Sequence, residues 1–314
     1  MAVTTLVASL LLTVCRLFAP PQRLLVVATS FVPLALLGYA LAALAWWVVR
    51  RASADRGQGL ATVGVVVALA GLLVHLGWLA PSYVGSHASG RPDLVVMTSN
   101  LRLGVGDAAT VIRVVQQQRV DVAAFEEVTP QELTALDGLR AALPYVAGQP
   151  APGADGTVVF SRYPLGQPTS LPISKGAWQL RVASPRPFTL IALHTSQPAN
   201  WTDIWRSDHA VLLAAARRVD GPLVVAGDFN ATLDHGPVRR ELDAGLSDAA
   251  RQANAGWQPT WPSDLRAGYS LPWGLGLMAL DHVLVSRQLS AQSTSTEVIP
   301  GSDHRALIAR LRFP

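Results

Sequence analysis

A single cysteine, Cys15, stands among 314 residues, so no intramolecular disulfide and no multi-cysteine zinc site is open to this chain. A protein without disulfides can live on either side of a membrane, and the compartment stays open. Lysine is almost missing as well: Lys175 is alone among 25 basic side chains. Charge itself is scarce. Charged residues make up 15% of the chain and hydrophobic ones 50%, against about 25% charged in soluble domains, so part of the chain does not face water. The net charge of +4 sits in one place. Residues 1–90 hold five arginines against Asp55, which leaves twenty basic and twenty acidic side chains in the remainder. That remainder has no net-charge footprint for DNA, although a local basic patch stays open. Also missing are G-x-x-x-x-G-K-[ST], H-E-x-x-H and G-x-S-x-G, which removes the signals for P-loop, zincin and serine-hydrolase chemistry.

Long apolar runs fill the first ninety residues. Leu24–Val49 carries no charge and ends in Trp46-Trp47, followed by Arg50-Arg51; Leu60–Ala80 contains only His75 as an ionisable group and closes near Trp78. Both exceed the roughly 20 residues a helix needs to cross a bilayer, with tryptophans where an interfacial belt belongs. Val3–Ala19 is shorter and interrupted by Arg16, which could reach for headgroups. Lacking a basic n-region, it reads as a first span or an uncleaved signal-like segment, and not as a cleaved signal peptide. Residues 1–85 are therefore expected to form an anchor with spans at about 3–19, 24–49 and 60–80. Arg50, Arg51 and Arg56 put the second loop in the cytoplasm by the positive-inside rule and deliver everything after residue 85 to the far side, although Arg16 and Arg23 then lie outside. His75 reads as a lone neutral imidazole, and the lack of acidic residues in the spans argues against a transporter.

From residue 92 to the end, short apolar runs alternate with helical patterns. Strands are expected at Asp93–Ser99, Val120–Phe125, Gly156–Arg162, Trp178–Ala183, Phe188–His194, Leu223–Ala226, Leu280–Ser286 and Ala306–Phe313. Helices are expected from an Asp107 cap to Arg119, over Pro130–Leu143 with proline at the first turn, and over Asn200–Val219. Strands outnumber helices and several follow one another directly, which predicts a mixed-sheet α/β sandwich. Neither an internal repeat nor a low-complexity linker beyond Ser82–Arg91 is visible.

Polar residues cap the apolar strands: Asn100, Glu126 and Glu127, His194, Asp228 and Asn230, Asp281, and Asp303 with His304. Each alone has an ordinary explanation as a turn residue or a satisfied histidine. Six such tips on one rim of a sandwich would make one site.

The ordered set SN at 100, FEE to 127, SRYP at 161–164, ALH at 194, GDFN at 227–230, TWP at 260–262, LDH at 280–282 and SDH at 302–304 resembles the endonuclease/exonuclease/phosphatase superfamily, which includes DNase I-like nucleases, inositol polyphosphate phosphatases and neutral sphingomyelinases. The resemblance implies a four-layered sandwich of two mixed sheets flanked by helices. It implies Mg²⁺, or Mn²⁺ in its place, bound by Glu127 with Asn100 and Asp303, in keeping with a hard cation's preference for oxygen. Asp228 would orient or deprotonate the attacking water, and Asn230 would hold that water or a phosphoryl oxygen. His304 would donate to the phosphate, with Asp281 fixing its tautomer. His194 would touch a non-bridging oxygen or assist the leaving group.

Two positions depart from the pattern. Arg102 stands where some nucleases of the group have a further acid, and Glu126 where many relatives have Gln. Alternation along a strand makes Glu126 a solvent-facing neighbour of Glu127, and sets His282 apart from the site beside Asp281. Residues 268–278 (GYSLPWGLGLM) form either a loop over the core or an apolar lip, with Trp273, suited to a lipid-borne substrate. Membrane-anchored bacterial members of the superfamily with a similar three-span layout include some associated with glycopeptide resistance. The reading is a membrane-anchored metal-dependent phosphoesterase acting outside the cytoplasm on a lipid-linked phosphate of the cell envelope, with the bilayer as partner. An extracellular nuclease is the alternative, disfavoured by the neutral domain; an inactive binding module is disfavoured by a nearly complete motif set.

Overall fold

The computed structural model describes residues 1–53, 55–85, 88–263 and 276–313. It divides into two bodies, one of Met1–Pro81 with Asp234–Gly236, the other of Ser82–Leu233 with Pro237–Pro314.

The first body is helical: α1 (Ala2–Phe18), α2 (Arg23–Thr29), α3 (Ala35–Ala52) and α4 (Asp55–Leu79), with 3₁₀ turns at Val32–Leu34 and Ala80–Ser82. Val32–Ala52 and Gly57–Ser82 are each long and apolar enough to cross a membrane; α1 and α2, bent by 100°, add a third if they act as one span. The expected uninterrupted span at 24–49 is therefore broken. Pro33 sits in the 3₁₀ turn between α2 and α3, and a proline has no N–H for a continuous helical ladder. Small residues let the helices approach: a Cβ at Gly71 would lie 2.3 Å from the Tyr39 ring, and one at Gly64 would lie 2.4 Å from Trp46. Thr13 Oγ1 meets the Tyr39 hydroxyl at 2.6 Å and His75 Nε2 at 3.0 Å, so His75 belongs to an interhelical hydrogen-bond network. Arg16 does not reach outward as expected. Its guanidinium lies 4.4 Å over the Trp78 ring and pairs with Asp234.

In chain order, the second body contains β1 (Leu94–Asn100), α5 (Ala108–Gln118), β2 (Val122–Glu126), α6 (Pro130–Ala135), β3 (Tyr145–Gln149), β4 (Thr157–Ser161), β5 (Thr169–Ser170), β6 (Ala177–Val182), β7 (Phe188–His194) and α7 (Pro198–Ala216). It continues with β8 (Leu223–Asp228), α8 (Gly236–Asp243), β9 (Leu246–Asp248), α9 (Ala249–Gln252), β10 (Asp281–Ser286), β11 (Ser290–Val298) and β12 (Arg305–Arg312). Two mixed six-stranded sheets result, ordered β11-β12-β1-β2-β4-β3 and β5-β6-β7-β8-β10-β9. Asp107 caps α5 by accepting the Thr110 N–H at 2.8 Å. The helix expected to run to Leu143 is α-helical only to Ala135 and continues as a 3₁₀ segment over Leu136–Ala141, where Asp137-Gly138 weakens the α-helix.

Strand alternation sorts the core into two layers. Leu94, Val96, Val122 and Ala124 of one sheet meet Leu190, Ala192, Val224 and Val283 of the other. Val95, Met97, Ala123 and Phe125, one step out of phase, pack with Val111, Val115 and Leu139 on the opposite face. Both faces are therefore covered, which is why these strands are apolar throughout.

Topology then places the strand tips. β1 is parallel to β2 and β7 to β8, so their C-terminal ends share a rim, while β10 and β12 run antiparallel and begin there. Register makes His194 and Asp281 the flanking partners of Asp228 in one sheet, and Asn100 the partner of Glu126 in the other.

Candidate active site

All eight expected site residues lie at the strand tips of this rim. Asp228 is at the centre. Gly227 before it comes so close to β7 that a Cβ would lie 1.9 Å from the Leu193 carbonyl, so only glycine lets the two strands meet here. Asn230 then takes φ 46°, and its N–H closes a tight turn on Asp228 Oδ1 at 2.8 Å. Left-handed backbone at a non-glycine residue costs about 1–3 kcal/mol and gathers at functional positions. Glu127 shows the same feature, φ 58°, immediately after β2 ends. Its Oε2 accepts the Leu103 N–H at 2.8 Å.

Asn100 bridges the two sheets. Its Nδ2 lies 3.1 Å from both Glu127 Oε1 and Asp228 Oδ2, while its Oδ1 takes the Arg102 N–H at 2.8 Å. That last bond orients the amide: the nitrogen, not the oxygen, faces the carboxylates, so Asn100 holds them by hydrogen bonds and is not turned to ligate a cation as expected. Burial raises the Asp228 carboxyl above its usual range, against the pull of His304.

His304 has Nδ1 2.8 Å from Asp281 Oδ2 and Nε2 3.7 Å from Asp228 Oδ2. Burial opposes its charge, but Asp281 and then Asp228 outweigh it and push the imidazole up to about 10. It is an imidazolium aimed at the cleft. His194 is its opposite, held below its usual range chiefly by burial. Its Nδ1 faces the Ala154 carbonyl at 3.1 Å and so carries the proton; Nε2 presents a lone pair to the site and accepts from Asn230 Nδ2 at 3.3 Å. Asn230 Nδ2 also donates to the Thr195 carbonyl at 2.9 Å. Asp303 accepts the Trp261 indole N–H at 3.3 Å and adds to the field that charges His304.

The TWP motif supports this rim from behind. Thr260 Oγ1 takes the N–H groups of Leu280 and Asp281 at 3.1 and 3.2 Å, and its carbonyl takes that of Arg305 at 2.8 Å. One threonine thus sets the starts of β10 and β12. SRYP lies elsewhere: Ser161 pairs with Val122, at the other end of β2 from Glu126, and Arg162 pairs with Asp121 at 2.9 Å.

Glu126 overturns the expectation of a solvent-facing side chain. It is 0% exposed, accepts from Thr98 Oγ1 at 2.9 Å, and is raised well above its usual range by burial and then by Asp281. Alternation does turn it away from Glu127, but the other face of the strand is the interior between the sheets. His282 is likewise buried and apart from the cleft.

Hard donors converge here, which fits a divalent cation. Among the described residues, ligand atoms of Asp228, Asp281 and His304 all lie within 4.8 Å of one another; with His304 protonated, the donors in that group are the two aspartates, and Asp281 Oδ1, buried, meets no hydrogen-bond donor. Glu127 adds a carboxylate that opens to solvent.

A model of the endonuclease/exonuclease/phosphatase family matches residues 97–304, a span running from β1 to His304. The chain belongs to that family. Its members are hydrolases of the nuclease and phosphatase type, typically dependent on a divalent metal. No curated protein matches the chain. Among solved structures it is similar to an endonuclease/exonuclease/phosphatase from Beutenbergia cavernae DSM 12333 (20% identity, 71% of this chain and 72% of that one, TM-score 0.55). An AP endonuclease from Archaeoglobus fulgidus (18%, 70% and 99%, TM-score 0.55) and a 3′ phosphatase from Neisseria bound to a product DNA hairpin (18%, 70% and 99%, TM-score 0.54) are similar too. At these identities the likeness shows the fold, two mixed sheets flanked by helices.

Proposed function

We propose that the protein is a membrane-anchored, Mg²⁺-dependent phosphoesterase whose catalytic domain faces away from the cytoplasm and hydrolyses a lipid-linked phosphate ester. The arrangement that carries this reading is the Asn100 bridge between Glu127 and Asp228, flanked by a neutral His194 and a charged His304. Glu127 would hold the cation, with Asn100 setting the angle of its carboxylate and Asp303 as a further oxygen donor. When bound, Mg²⁺ supplies charge neutralisation at the phosphoryl oxygens. Asp228, its basicity raised by burial, takes the proton of the attacking water. Asn230 would give up the longer of its two side-chain bonds, the 3.3 Å one to His194, and donate that N–H to the water or to a phosphoryl oxygen, and His304 donates through Nε2 where negative charge develops. The lone pair on His194 makes it an acceptor within the site.

Two observations support a lipid-borne substrate. The helices Val32–Ala52 and Gly57–Ser82 are fit to span a bilayer. Leu103, whose N–H holds Glu127, is itself 51% exposed, and Val105, two residues on, is 59% exposed. The apolar lip expected around Trp273 lies outside the described residues.

Purified full-length protein, with Mg²⁺ and with EDTA, is assayed on bis(p-nitrophenyl) phosphate, phospholipid, prenyl pyrophosphate and a DNA hairpin. Lipid or pyrophosphate turnover that Asp228→Ala and His304→Ala both abolish is the expected result. Activity that survives EDTA or either substitution would contradict the mechanism. Preferential cleavage of the hairpin would favour the nuclease reading, which the DNA-bound Neisseria neighbour keeps in view.

A further inference from the structure

Two buried carboxylate–imidazole pairs take no part in the chemistry above. His209 of α7 places Nδ1 2.8 Å from Glu241 Oε1 and Nε2 3.1 Å from the Phe229 carbonyl. His282 of β10 places Nδ1 3.1 Å from Asp248 Oδ2 and Nε2 2.8 Å from the Ala231 carbonyl. None of the four side chains is more than 3% exposed. A carbonyl oxygen only accepts, so each imidazole donates through Nε2. The carboxylate behind each ring fixes its plane through Nδ1, as carboxylates do behind metal-bound histidines.

Buried His–carboxylate pairs are often plain core supports. These two differ in where they end. Both terminate on the backbone of one short loop, Asp228 to Ala231, coming from different elements, and their target carbonyls flank Asn230. That loop contains the left-handed turn at Asn230 and carries two of the site's side chains. Phe229 is held further: its carbonyl also accepts from Thr195 Oγ1 at 2.6 Å and Trp205 Nε1 at 3.3 Å. Three donors on an oxygen with two lone pairs restrain it more than satisfying a carbonyl requires.

We infer that Glu241–His209 and Asp248–His282 are paired positioning devices that hold the Asp228–Ala231 loop in its bend and keep Asp228 and Asn230 aimed at the reacting phosphate. The effect on rate rests on the phosphoesterase reading; the hold on the loop does not.

The test compares asparagine with glutamine at each histidine in the full-length protein in detergent micelles. Asparagine can reach the carboxylate but not the carbonyl, whereas glutamine reaches the carbonyl. Hydrogen exchange over residues 226–232 reports on the Phe229 and Asn230 amides, which are bonded to the Leu280 carbonyl and to Asp228 Oδ1. His209→Asn and His282→Asn are expected to speed exchange about tenfold in that segment alone, and His209→Gln and His282→Gln to leave it slow. On bis(p-nitrophenyl) phosphate with Mg²⁺, kcat of the asparagine variants falls by about the same factor with KM near wild type. Unchanged loop exchange in both asparagine variants overturns the inference, as does acceleration spread evenly through the domain. Local loosening in a protein whose wild type hydrolyses no phosphate ester would sink the phosphoesterase reading and leave the loop hold standing.

Discussion

Asn100 holds two carboxylates together with one amide group: its Nδ2 is 3.1 Å from Glu127, just past the end of the neighbouring strand, and 3.1 Å from Asp228 on the opposing sheet. Two anions so placed repel each other unless a donor or a cation lies between them. Asn100→Ala removes the donor and leaves the repulsion, so kcat/KM is expected to fall by about 10–100-fold. Steady-state kinetics beside a melting curve checks this. An unchanged rate would show that Asn100 has no hold on the carboxylates that matters to turnover.

The charge on His304 depends on its neighbours. Burial works against it, Asp281 and Asp228 overcome the burial, and the imidazole stays protonated up to about pH 10. The folded state thus binds this proton more tightly than the unfolded chain. The resulting stability is complete below about pH 6.5 and is lost as pH rises through about 10. Asp281→Asn removes the stronger of the two carboxylate fields. The alkaline limb of the pH–rate profile is expected to move down by at least about one unit. Activity at pH 6 is retained better than activity at pH 9.

Much of this site was legible in the chain because chemistry sits where periodicity stops. The apolar runs before Asn100, Glu127, His194 and Asp228 marked strands, and the ordered motifs marked one rim. Other features were hidden for physical reasons. Glu126 was misread because alternation says that a side chain turns away from its neighbour, not whether water lies there; with both sheet faces covered, it is buried. β11 is hidden because SAQSTSTEV has no apolar run: it is an edge strand that, among the described residues, pairs with β12 alone. His209 and Glu241 lie on helices in unremarkable surroundings, and only tertiary structure brings Glu241 to His209 and His209 to the Phe229 carbonyl. The break between α2 and α3 was signalled by Pro33 within an otherwise apolar stretch.

Gly227 is a packing requirement of the site, not a source of flexibility. A methyl group there would lie 1.9 Å from the Leu193 carbonyl oxygen, which is backbone and cannot rotate away. Gly227→Ala must therefore part β7 from β8 at the point where His194 and Asp228 are in register. A loss of about 3 kcal/mol is expected, the upper end of overpacking costs. Denaturant titration measures it, and a loss of activity greater than the unfolded fraction explains would show the displaced register.

Substrate choice is open to a test that spares the catalytic side chains. Val105 is 59% exposed two residues beyond Leu103, the residue whose amide holds Glu127. An exposed valine contributes little to folding, so a charge in its place should leave the fold intact. If this edge meets a bilayer or an acyl chain, Val105→Asp puts a carboxylate where apolar surface was to be buried, at a cost of about 1–3 kcal/mol in binding and hence roughly a tenfold rise in KM or more. Hydrolysis of a phospholipid or prenyl pyrophosphate in vesicles is expected to suffer that rise, while a small water-soluble phosphodiester is cleaved at the wild-type rate. Equal loss on both substrates would mean that the substitution disturbs Glu127 through the loop. No loss on either would take the Leu103–Val105 edge out of substrate recognition, and the ester cleaved by this enzyme would then have to be sought among soluble compounds.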